Sequence, residues 1–478
     1  MNQSNKKTYW TICQACQGRG KTSRRLRKKV RREYRIALEE YEKSTHQGTP
    51  PIRPKASTIP CTTCNGSGLV KTEQAPPPDK ENYPHIAIIG AGIGGTALAA
   101  ACLHRSIPFT LYERDHSFDA RSQGYGLTLQ QASKAIQSFG IETLAHGVVS
   151  TKHMMHTTDG KVIGEWGMRK WKPDHTTSPP KRNNVHIARQ ALRLALMEQV
   201  GAPDDIQWGH QLVDYTASPT EGIELQFQVD SKTKKTTADL VVGADGIRST
   251  VRKLLIGDDA SPLQYLGCIV ILGICPLAHL AEVESPLLDS ATVFQTANGH
   301  ERIYMMPYTA DTVMWQLSFP MPEDAAKALS AQGPQALHAE ACRRTPWHHP
   351  IPQILAATPI DLISGYPVYD RPLLSPASLA NAGPVTLIGD AAHPMSPFKG
   401  QGANQALLDA LSLARGITKA CKPQSDWSAT GIRACVLTEF ESEMLERTAS
   451  KVKDSRAAAA FLHSESVLQE RDGPRNNA

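Results

Sequence analysis

Three glycines in the pattern GxGxxG, Gly90, Gly92 and Gly95, follow directly on an apolar segment at residues 85–89. Small residues at 96–102 come next and predict a helix. In such a strand–turn–helix unit the first glycine allows a tight turn, the second lets a diphosphate approach the backbone, and the third lets helix and strand pack closely. The free N–H groups at the helix start attract the diphosphate. The pattern therefore predicts a dinucleotide site.

A second apolar segment, at residues 109–112, ends in Glu113, and Arg114 follows it. An acidic residue about 20 residues after the glycines accepts hydrogen bonds from the ribose hydroxyls of a bound dinucleotide. Glu113 and Arg114 are therefore candidate cofactor-binding residues.

Four of the ten cysteines, Cys13, Cys16, Cys61 and Cys64, form two copies of CxxCxGxG. Two thiolates at this spacing can bind one metal ion, and the glycines allow turns that direct backbone N–H groups at the sulfur atoms. Together the copies supply the four ligands of a closed tetrahedral site, which is typical of structural zinc. A redox dithiol and unliganded cysteines are the alternatives. The repeat resembles the cysteine-rich module of DnaJ-type chaperones, and two copies imply one zinc ion.

The segment between the cysteine pairs is strongly basic. Residues 1–80 hold 17 Lys/Arg and 6 Asp/Glu, a net charge of +11, whereas the remainder carries −5. Apolar side chains at helical spacing predict an amphipathic helix over residues 23–41. One interpretation is a helix that contacts nucleic acid or another acidic partner; the other is a solvated helix whose apolar stripe packs on the zinc module.

Two later motifs indicate which dinucleotide is bound. Residues 238–252 contain an apolar strand followed by DGxxSxxR, and residues 384–405 contain another strand followed by GDAAH and a glycine-rich turn. Together with GxGxxG they resemble the class A FAD-dependent monooxygenases, the para-hydroxybenzoate hydroxylase-like family, over about residues 85–440. Within that family, residues 112–128 are most similar to tetracycline-inactivating monooxygenases. The resemblance implies FAD as the cofactor.

The resemblance also implies roles at the flavin. Asp390 occupies the place of an aspartate that bonds the ribityl hydroxyls. Ala403 and Asn404 begin a helix whose backbone N–H groups can stabilise negative charge at the pyrimidine end of the reduced flavin. Pro397 matches a proline near the oxygen-reacting face and is the candidate catalytic residue.

Three further positions match cofactor contacts of the family. Arg189 matches an arginine that reaches the flavin, with a surface position on an amphipathic helix as the alternative. Arg121 matches an arginine implicated in flavin or NADPH contact, with a simple loop charge as the alternative. Thr128 stands where tetracycline-inactivating relatives carry an aspartate.

The activity that the resemblance implies is an NAD(P)H-driven monooxygenase reaction. FAD is reduced by NADPH or NADH and reacts with O₂, and a flavin C4a-hydroperoxide delivers one oxygen atom to a small aromatic or polycyclic substrate. The cofactor carries this chemistry while the protein orients it and excludes water. The alternatives are a flavin oxidase or dehydrogenase, and a flavoenzyme that modifies a nucleic acid or protein recruited by the zinc module.

These patterns predict an α/β protein, with an FAD-binding Rossmann-like domain, a second β-sheet substrate domain, C-terminal helices and a small N-terminal zinc module. The expected boundaries are a zinc module at 1–71, a linker at 72–84, the FAD-binding and substrate domains at 85–440, and a C-terminal helix and tail at 441–478. The substrate sheet is expected within about 151–185 and 260–375. Met305, Met314 and Trp315 are candidates to line its pocket, with core packing as the alternative.

Composition agrees with a globular chain, at 40% apolar and 21% charged residues. No apolar run approaches the ~18–20 residues that a membrane span needs, and the N-terminus lacks the features of a signal peptide. We therefore expect a cytoplasmic protein without a membrane span.

Overall fold

The structure is a computed structural model. In it the chain divides into two units, Met1–Pro77 and Pro78–Ala478. The structure describes residues 8–44, 49–54, 56–120, 124–168, 184–201, 206–218, 222–422 and 425–474. Among these residues, no helix is both long enough and apolar enough to cross a membrane.

The N-terminal unit consists of two antiparallel strand pairs and one helix. Its elements are β1 (Tyr9–Ile12), β2 (Lys21–Ser23), α1 (Lys28–Lys43), β3 (Thr58–Pro60) and β4 (Leu69–Thr72). Strand β1 pairs with β4 and β2 with β3, so the β1–β2 turn lies beside the β3–β4 turn. The two turns repeat one backbone conformation, since Gln17 and Asn65 have φ values of 51° and 49°. Each turn carries one of the two cysteine pairs.

Helix α1 begins at Lys28 rather than at residue 23, because residues 21–23 pair with β3 instead. None of its side chains is buried. Exposed pairs along the helix, such as Lys29 with Glu33, add little stability. The acidic or nucleic-acid partner of this helix stays a prediction from the sequence.

The larger unit contains strands and helices in mixed order. Its strands are β5 (Ile86–Ile89), β6 (Phe109–Tyr112), β7 (Gly126–Leu129), β8 (Val148–Val149), β9 (Lys152–His156), β10 (Val162–Trp166), β11 (Val185–Ala188), β12 (Ile206–Gln207), β13 (His210–Ser218), β14 (Gly222–Val229), β15 (Lys232–Ala238), β16 (Leu240–Gly243), β17 (Gln264–Pro276), β18 (Thr292–Ala297), β19 (Arg302–Thr309), β20 (Thr312–Pro320), β21 (Ile363–Asp370) and β22 (Val385–Leu387). Its α-helices are α2 (Ile93–Leu103), α3 (Arg189–Val200), α4 (Thr250–Ile256), α5 (Glu323–Ala331), α6 (Pro334–Arg344), α7 (Ile351–Ala356), α8 (Pro376–Leu379), α9 (Gly402–Ala420), α10 (Trp427–Thr430) and α11 (Thr438–Phe461).

A five-stranded sheet, in the order β12-β6-β5-β16-β22, is parallel throughout. Strands β5 and β16 are buried along their whole length, as expected for parallel strands covered on both faces. Helix α2 packs on β6 and on α9. Because parallel strands end at one edge of the sheet, the turns that follow β5, β6, β16 and β22 lie together there.

A second sheet has seven strands in the order β10-β9-β18-β19-β20-β17-β21. One face packs against α5, α6 and α7 and contains Phe294, Trp315 and Leu317 in its core. Smaller clusters, which include Ile274, Val293 and Met314, lie on the other face. The two sheets, with the C-terminal helices, confirm the predicted α/β fold class with a second β-sheet.

Helix α11 connects back to the parallel sheet through a buried ion pair. It follows a π-helical turn at Arg433–Leu437, and Arg433 Nη1 lies 2.8 Å from Glu441 Oε2. The other oxygen of Glu441 accepts a hydrogen bond from Thr386 of β22 at 2.8 Å. Since α11 begins at Thr438, its first residues precede the expected boundary at residue 440.

Two neighbouring glycines provide a test of the packing between α2 and β5. A Cβ atom at Gly95 would overlap the carbonyl oxygen of Gly90, whereas one at Gly94 would meet only side-chain carbons at 3.6 Å or more. We expect Gly95→Ala to lower the free energy of unfolding by about 3 kcal/mol or more. Gly94→Ala should leave it unchanged or raise it by about 0.5–1 kcal/mol, because alanine favours helix.

Thermal and urea unfolding of the two variants beside wild type measure this difference. Equal stability of Gly95→Ala and Gly94→Ala would show that the close packing of α2 on the turn after β5 is not required.

Candidate active site

The first turn of the parallel sheet, between β5 and α2, borders a small cavity of about 150 Å³. Glu113, at the end of β6, lies beside this turn and accepts a hydrogen bond from the backbone N–H of Ala91 at 2.7 Å. Its other oxygen accepts the N–H of Asp115 at 3.1 Å. The structure therefore brings Glu113, Arg114, Gly90 and Gly92 together at one cavity wall.

Gly92 leaves open space at this wall. The nearest atom that a Cβ there would meet is Arg189 Nη2 at 3.9 Å. Gly90 is different, because its φ of 105° belongs to the region that favours glycine. Arg189 opens α3, and its side chain lies against Gly124 and at the same small cavity. A bare backbone beside a guanidinium is well suited to an anionic diphosphate.

A larger cavity, of about 700 Å³, lies between the parallel sheet and the seven-stranded sheet. Asp390, Pro397, Ala403 and Thr128 all line it. Three of these predicted residues come from the segment 390–403, and Thr128 comes from β7, more than 260 residues earlier in the chain.

The carboxylate of Asp390 faces this cavity. Burial raises the pKa of Asp390 above its usual value, although His393 and Arg189 favour the charged form. Among the described residues it forms no ion pair within 4.0 Å. A carboxylate in a cavity wall without a close ion-pair partner fits a ligand with hydroxyl donors, such as the ribityl chain of a flavin.

The turn that carries Asp390 is held from behind by a buried ionic network. Asp409 accepts the backbone N–H of Gly389 at 2.8 Å and lies 2.7 Å from His393 Nε2 and 2.8 Å from Arg447 Nη2. Burial alone would raise the pKa of Asp409, but His393 and Arg447 hold it below its ordinary value. His393 therefore positions the turn and does not line the cavity.

Helix α9 directs its N-terminus at the cavity. Its hydrogen-bond ladder begins with the N–H of Gln405, which donates to Gln401 at 3.0 Å, so the N–H groups of Ala403 and Asn404 precede the ladder. The Asn404 side chain donates to the carbonyl groups of Thr128 and Gly400, both at 2.9 Å. It thereby connects the helix start to β7.

Thr128 bonds a histidine that the sequence did not single out. Its hydroxyl lies 3.0 Å from His186 Nδ1, and burial lowers the pKa of His186 to about 3. His186 is therefore neutral at physiological pH and lines the cavity. Arg121, the remaining predicted residue, lies outside the described residues.

Because successive strand residues point to opposite faces of the sheet, the three candidates for the pocket wall, Met305, Met314 and Trp315, do not all face the cavity. Met314 lines the cavity, but Met305 and Trp315 lie on the helix-covered face, where Trp315 Nε1 donates to Thr358 at 2.9 Å. Core packing therefore describes Met305 and Trp315. The cavity face carries polar residues that were missed: Gln295, Arg302, Tyr304 and Gln316. Polar residues at alternate positions of apolar strands are the signal that could have identified them.

A model of the FAD binding domain family matches residues 84–428. The chain belongs to this family. Among relatives of this FAD-binding-domain protein, the FAD-dependent monooxygenase thnD of Trichoderma harzianum is 26% identical over 404 residues, which cover 78% of this chain and 92% of thnD. The 6-hydroxynicotinate 3-monooxygenase of Bordetella bronchiseptica is 26% identical over 357 residues, which cover 70% of this chain and 83% of that enzyme.

Solved structures share the fold. HpxO of Klebsiella pneumoniae, in complex with FAD and uric acid, superimposes with a TM-score of 0.65 at 20% identity and covers 81% of this chain and 93% of its own. The tetracycline destructase Tet(51) gives a TM-score of 0.56 at 19% identity, with 81% and 96% covered. The predictions of an FAD-binding protein and of an oxidoreductase in an FAD-dependent monooxygenase family are confirmed. The particular similarity to tetracycline-inactivating enzymes stays a prediction.

Asp390, whose side chain is accessible from the cavity, and the fully buried Asp409 provide a contrasting pair of carboxylates. Because the pKa of Asp390 is raised in the folded state, its contribution to stability falls as the pH rises above its unfolded value, about 4. At pH 7 the flavin-free Asp390→Asn variant should be at least as stable as flavin-free wild type, while its affinity for FAD falls about tenfold or more. Asp409→Asn should instead lose about 3 kcal/mol or more, because it removes the fully buried carboxylate that binds His393, Arg447 and the N–H of Gly389.

Thermal unfolding of the flavin-free proteins at pH 5 and pH 7, with FAD titrations followed by flavin fluorescence, measures both effects. If Asp390→Asn destabilised the flavin-free protein as strongly as Asp409→Asn, Asp390 would be a structural residue.

Proposed function

We propose that this protein is an FAD-dependent monooxygenase that uses NAD(P)H and O₂ to hydroxylate a small aromatic or polycyclic molecule. The observation that supports this most directly is the arrangement of the two cavities. The small one adjoins the dinucleotide turn, and the large one extends from Asp390 to the seven-stranded sheet. Arg189 lies at the small cavity, and its charge also acts on Asp390 in the large one.

The described residues fit FAD along this path. Glu113 would accept from the adenosine ribose, beside Arg114, and the backbone at Gly92 would adjoin the diphosphate. Asp390 would bind the ribityl hydroxyls, and the N–H groups of Ala403 and Asn404 would stabilise negative charge at the pyrimidine ring.

When bound, FAD supplies the redox chemistry: it takes a hydride from NAD(P)H and activates O₂, of which one oxygen atom enters the substrate and the other leaves as water. The protein supplies the surroundings. Met306, Met314 and Tyr304 line the same cavity as Asp390 and would keep water from the reacting face of the bound flavin. Pro397 lies at the same cavity on a short 3₁₀ turn, Pro397–Lys399.

The size of the large cavity supports a small substrate. About 700 Å³ must hold the flavin ring system together with the molecule that it oxidises, within the usual range for ligand pockets. The relative named 6-hydroxynicotinate 3-monooxygenase acts on an aromatic ring of this size class.

A structural zinc ion in the N-terminal unit completes the proposal. The Sγ atoms of Cys13, Cys16, Cys61 and Cys64 lie within 4.8 Å of one another, and Cys16 and Cys64 are 3.7 Å apart. Four thiolates at a Zn–S distance of about 2.3 Å are separated by about 3.8 Å. The backbone N–H groups of Gly20 and Gly68 lie 3.2 Å from Cys16 and Cys64, respectively. This donor set fits zinc.

The function is tested with the purified, FAD-loaded protein. We expect NADPH or NADH oxidation to accelerate with at least one member of a panel of phenols, hydroxypyridines and polycyclic enones. The stimulating compound should gain one oxygen atom, with O₂ consumed in proportion. Release of hydrogen peroxide in place of an oxygenated product would indicate an oxidase, and absence of flavin reduction with every compound would contradict the proposal.

The zinc site is tested by metal analysis of the full chain. We expect about one zinc ion per chain in wild type, a large loss in Cys16→Ser, and no loss in the control Cys435→Ser, because Cys435 belongs to the π-helical turn of the larger unit and is not one of the four clustered cysteines. Small-molecule turnover should persist in Cys16→Ser if the zinc unit has no part in the chemistry. Wild-type protein that contains no zinc, and takes up none when zinc is added, would rule the site out.

A further inference from the structure

The cavity face of the seven-stranded sheet contains a buried arginine that the proposed mechanism does not use. Arg302, the first residue of β19, is 5% exposed and lines the large cavity. Its Nε donates to Gln295 Oε1 at 2.9 Å, and its guanidinium lies 5.1 Å from the ring centre of Tyr304. These two contacts fix the direction of the side chain.

Among the described residues, no acidic group pairs with this cation. Within the part of the chain that the structure describes, no carboxylate oxygen lies within 4.0 Å of Arg302, and Nη1 and Nη2 have no hydrogen-bond acceptor. Its charged neighbours are basic instead: burial, together with the positive charge of Arg302, lowers the pKa of Lys399 and of His463. Burial also lowers the pKa of Arg302 to about 10, so the guanidinium stays charged at neutral pH.

Two other arginines of this unit direct their terminal nitrogens at protein acceptors. Arg252 donates to the carbonyl groups of Ala391 and Ala392 at 2.8 and 2.9 Å, and Arg447 pairs with Asp409 at 2.8 Å. Placing an unpaired charge away from water is costly. Arg302 therefore differs from these two arginines. Its Nη1 and Nη2 have no acceptor among the described residues, and the side chain lines the cavity that also contains Asp390.

The wall around Arg302 favours an anion. Tyr304 lies directly opposite Gln295 on one side and Gln316 on the other, so two amide side chains share its row of the sheet. Among the described residues at the wall, Lys399 and Lys451 add positive charge. The carboxylates at the cavity are Asp390, at the flavin turn, and Asp454, which is exposed and acts on Lys399.

We propose that Arg302 binds a carboxylate group of the substrate through Nη1 and Nη2, so that the substrate is an aromatic acid. A guanidinium presents two parallel N–H groups in one plane, which match the two oxygens of a carboxylate. The ion pair neutralises the buried charge and fixes the orientation of the aromatic ring in the cavity. This proposal rests on the proposed function, because it names the substrate class of the same cavity.

The test measures binding to the FAD-loaded protein without turnover. Benzoate, 1-naphthoate and anthracene-9-carboxylate are each compared with the corresponding primary amide at pH 7, with the change in the flavin absorption spectrum as the readout. The amides keep the ring size and shape but lack the negative charge. For at least one ring size we expect the acid to bind about tenfold or more tightly than its amide.

Three variants assign that preference to the guanidinium. Arg302→Gln should bind acid and amide about equally, and Arg302→Lys should keep only part of the preference, since lysine retains the charge without the planar pair of donors. Arg343→Gln is the matched control, because Arg343 lies exposed on α6, which packs on the opposite face of the sheet. It should keep the full preference.

Thermal unfolding gives a second readout. Loss of an uncompensated buried charge should leave ligand-free Arg302→Gln at least as stable as wild type, and benzoate-class acids should raise the midpoint of wild type but not of this variant. Failure of all three acids to bind, equal binding of acid and amide to wild type, or full preference in Arg302→Gln would each overturn the proposal. Protein that binds these acids but oxidises no NAD(P)H would instead contradict the proposed function alone.

Discussion

The hydrogen-bonded register of the parallel sheet is the constraint on which the rest of the larger unit depends. Val242 of β16 pairs with Ile88 of β5 and with Thr386 of β22, so the three strands end at the same level. The ladder continues beyond them, since Ala244 donates to Ile89 at 2.8 Å. Motifs far apart in sequence thereby reach one edge, and the two cavities lie there because of it.

The charged side chains around the cavities of the larger unit fall into two groups. Asp409 and Glu441 meet arginines and hydrogen-bond donors, and these networks fix the turn after β22 and the start of α11. Asp390 and Arg302 face the cavity, and neither forms an ion pair within 4.0 Å among the described residues. The paired carboxylates stabilise the geometry of the scaffold, whereas Asp390 and Arg302 are available to bind ligands. A stable scaffold allows a site that is unfavourable when empty.

The sequence predicted the parts of this protein that depend on local pattern. The glycine motifs, the turn at Asp390 and the four cysteines are short segments, and their chemistry can be recognised without knowing the fold. Residues that depend on strand register were missed or left undecided. Met305 and Met314 could not be assigned to the pocket or to the core from the sequence, and adjacent strands put them on opposite faces. The start of α1 was placed too early because the pairing of β2 with β3 joins segments more than 30 residues apart.

The N-terminal unit joins its two halves by reciprocal contacts. The N–H of Cys13 donates to Gly68 at 2.8 Å, and the N–H of Cys61 donates to Gly20 at 2.9 Å. Each half is therefore hydrogen-bonded to the other. Residues 24–57, which include α1, connect β2 to β3, and these two strands are paired, so the segment begins and ends at neighbouring points. Doubling the length of such a connection costs only about 0.6 kcal/mol in chain entropy. The cysteine core consequently places little restriction on the inserted segment, whose length and charge are free to diverge in evolution while the core is kept.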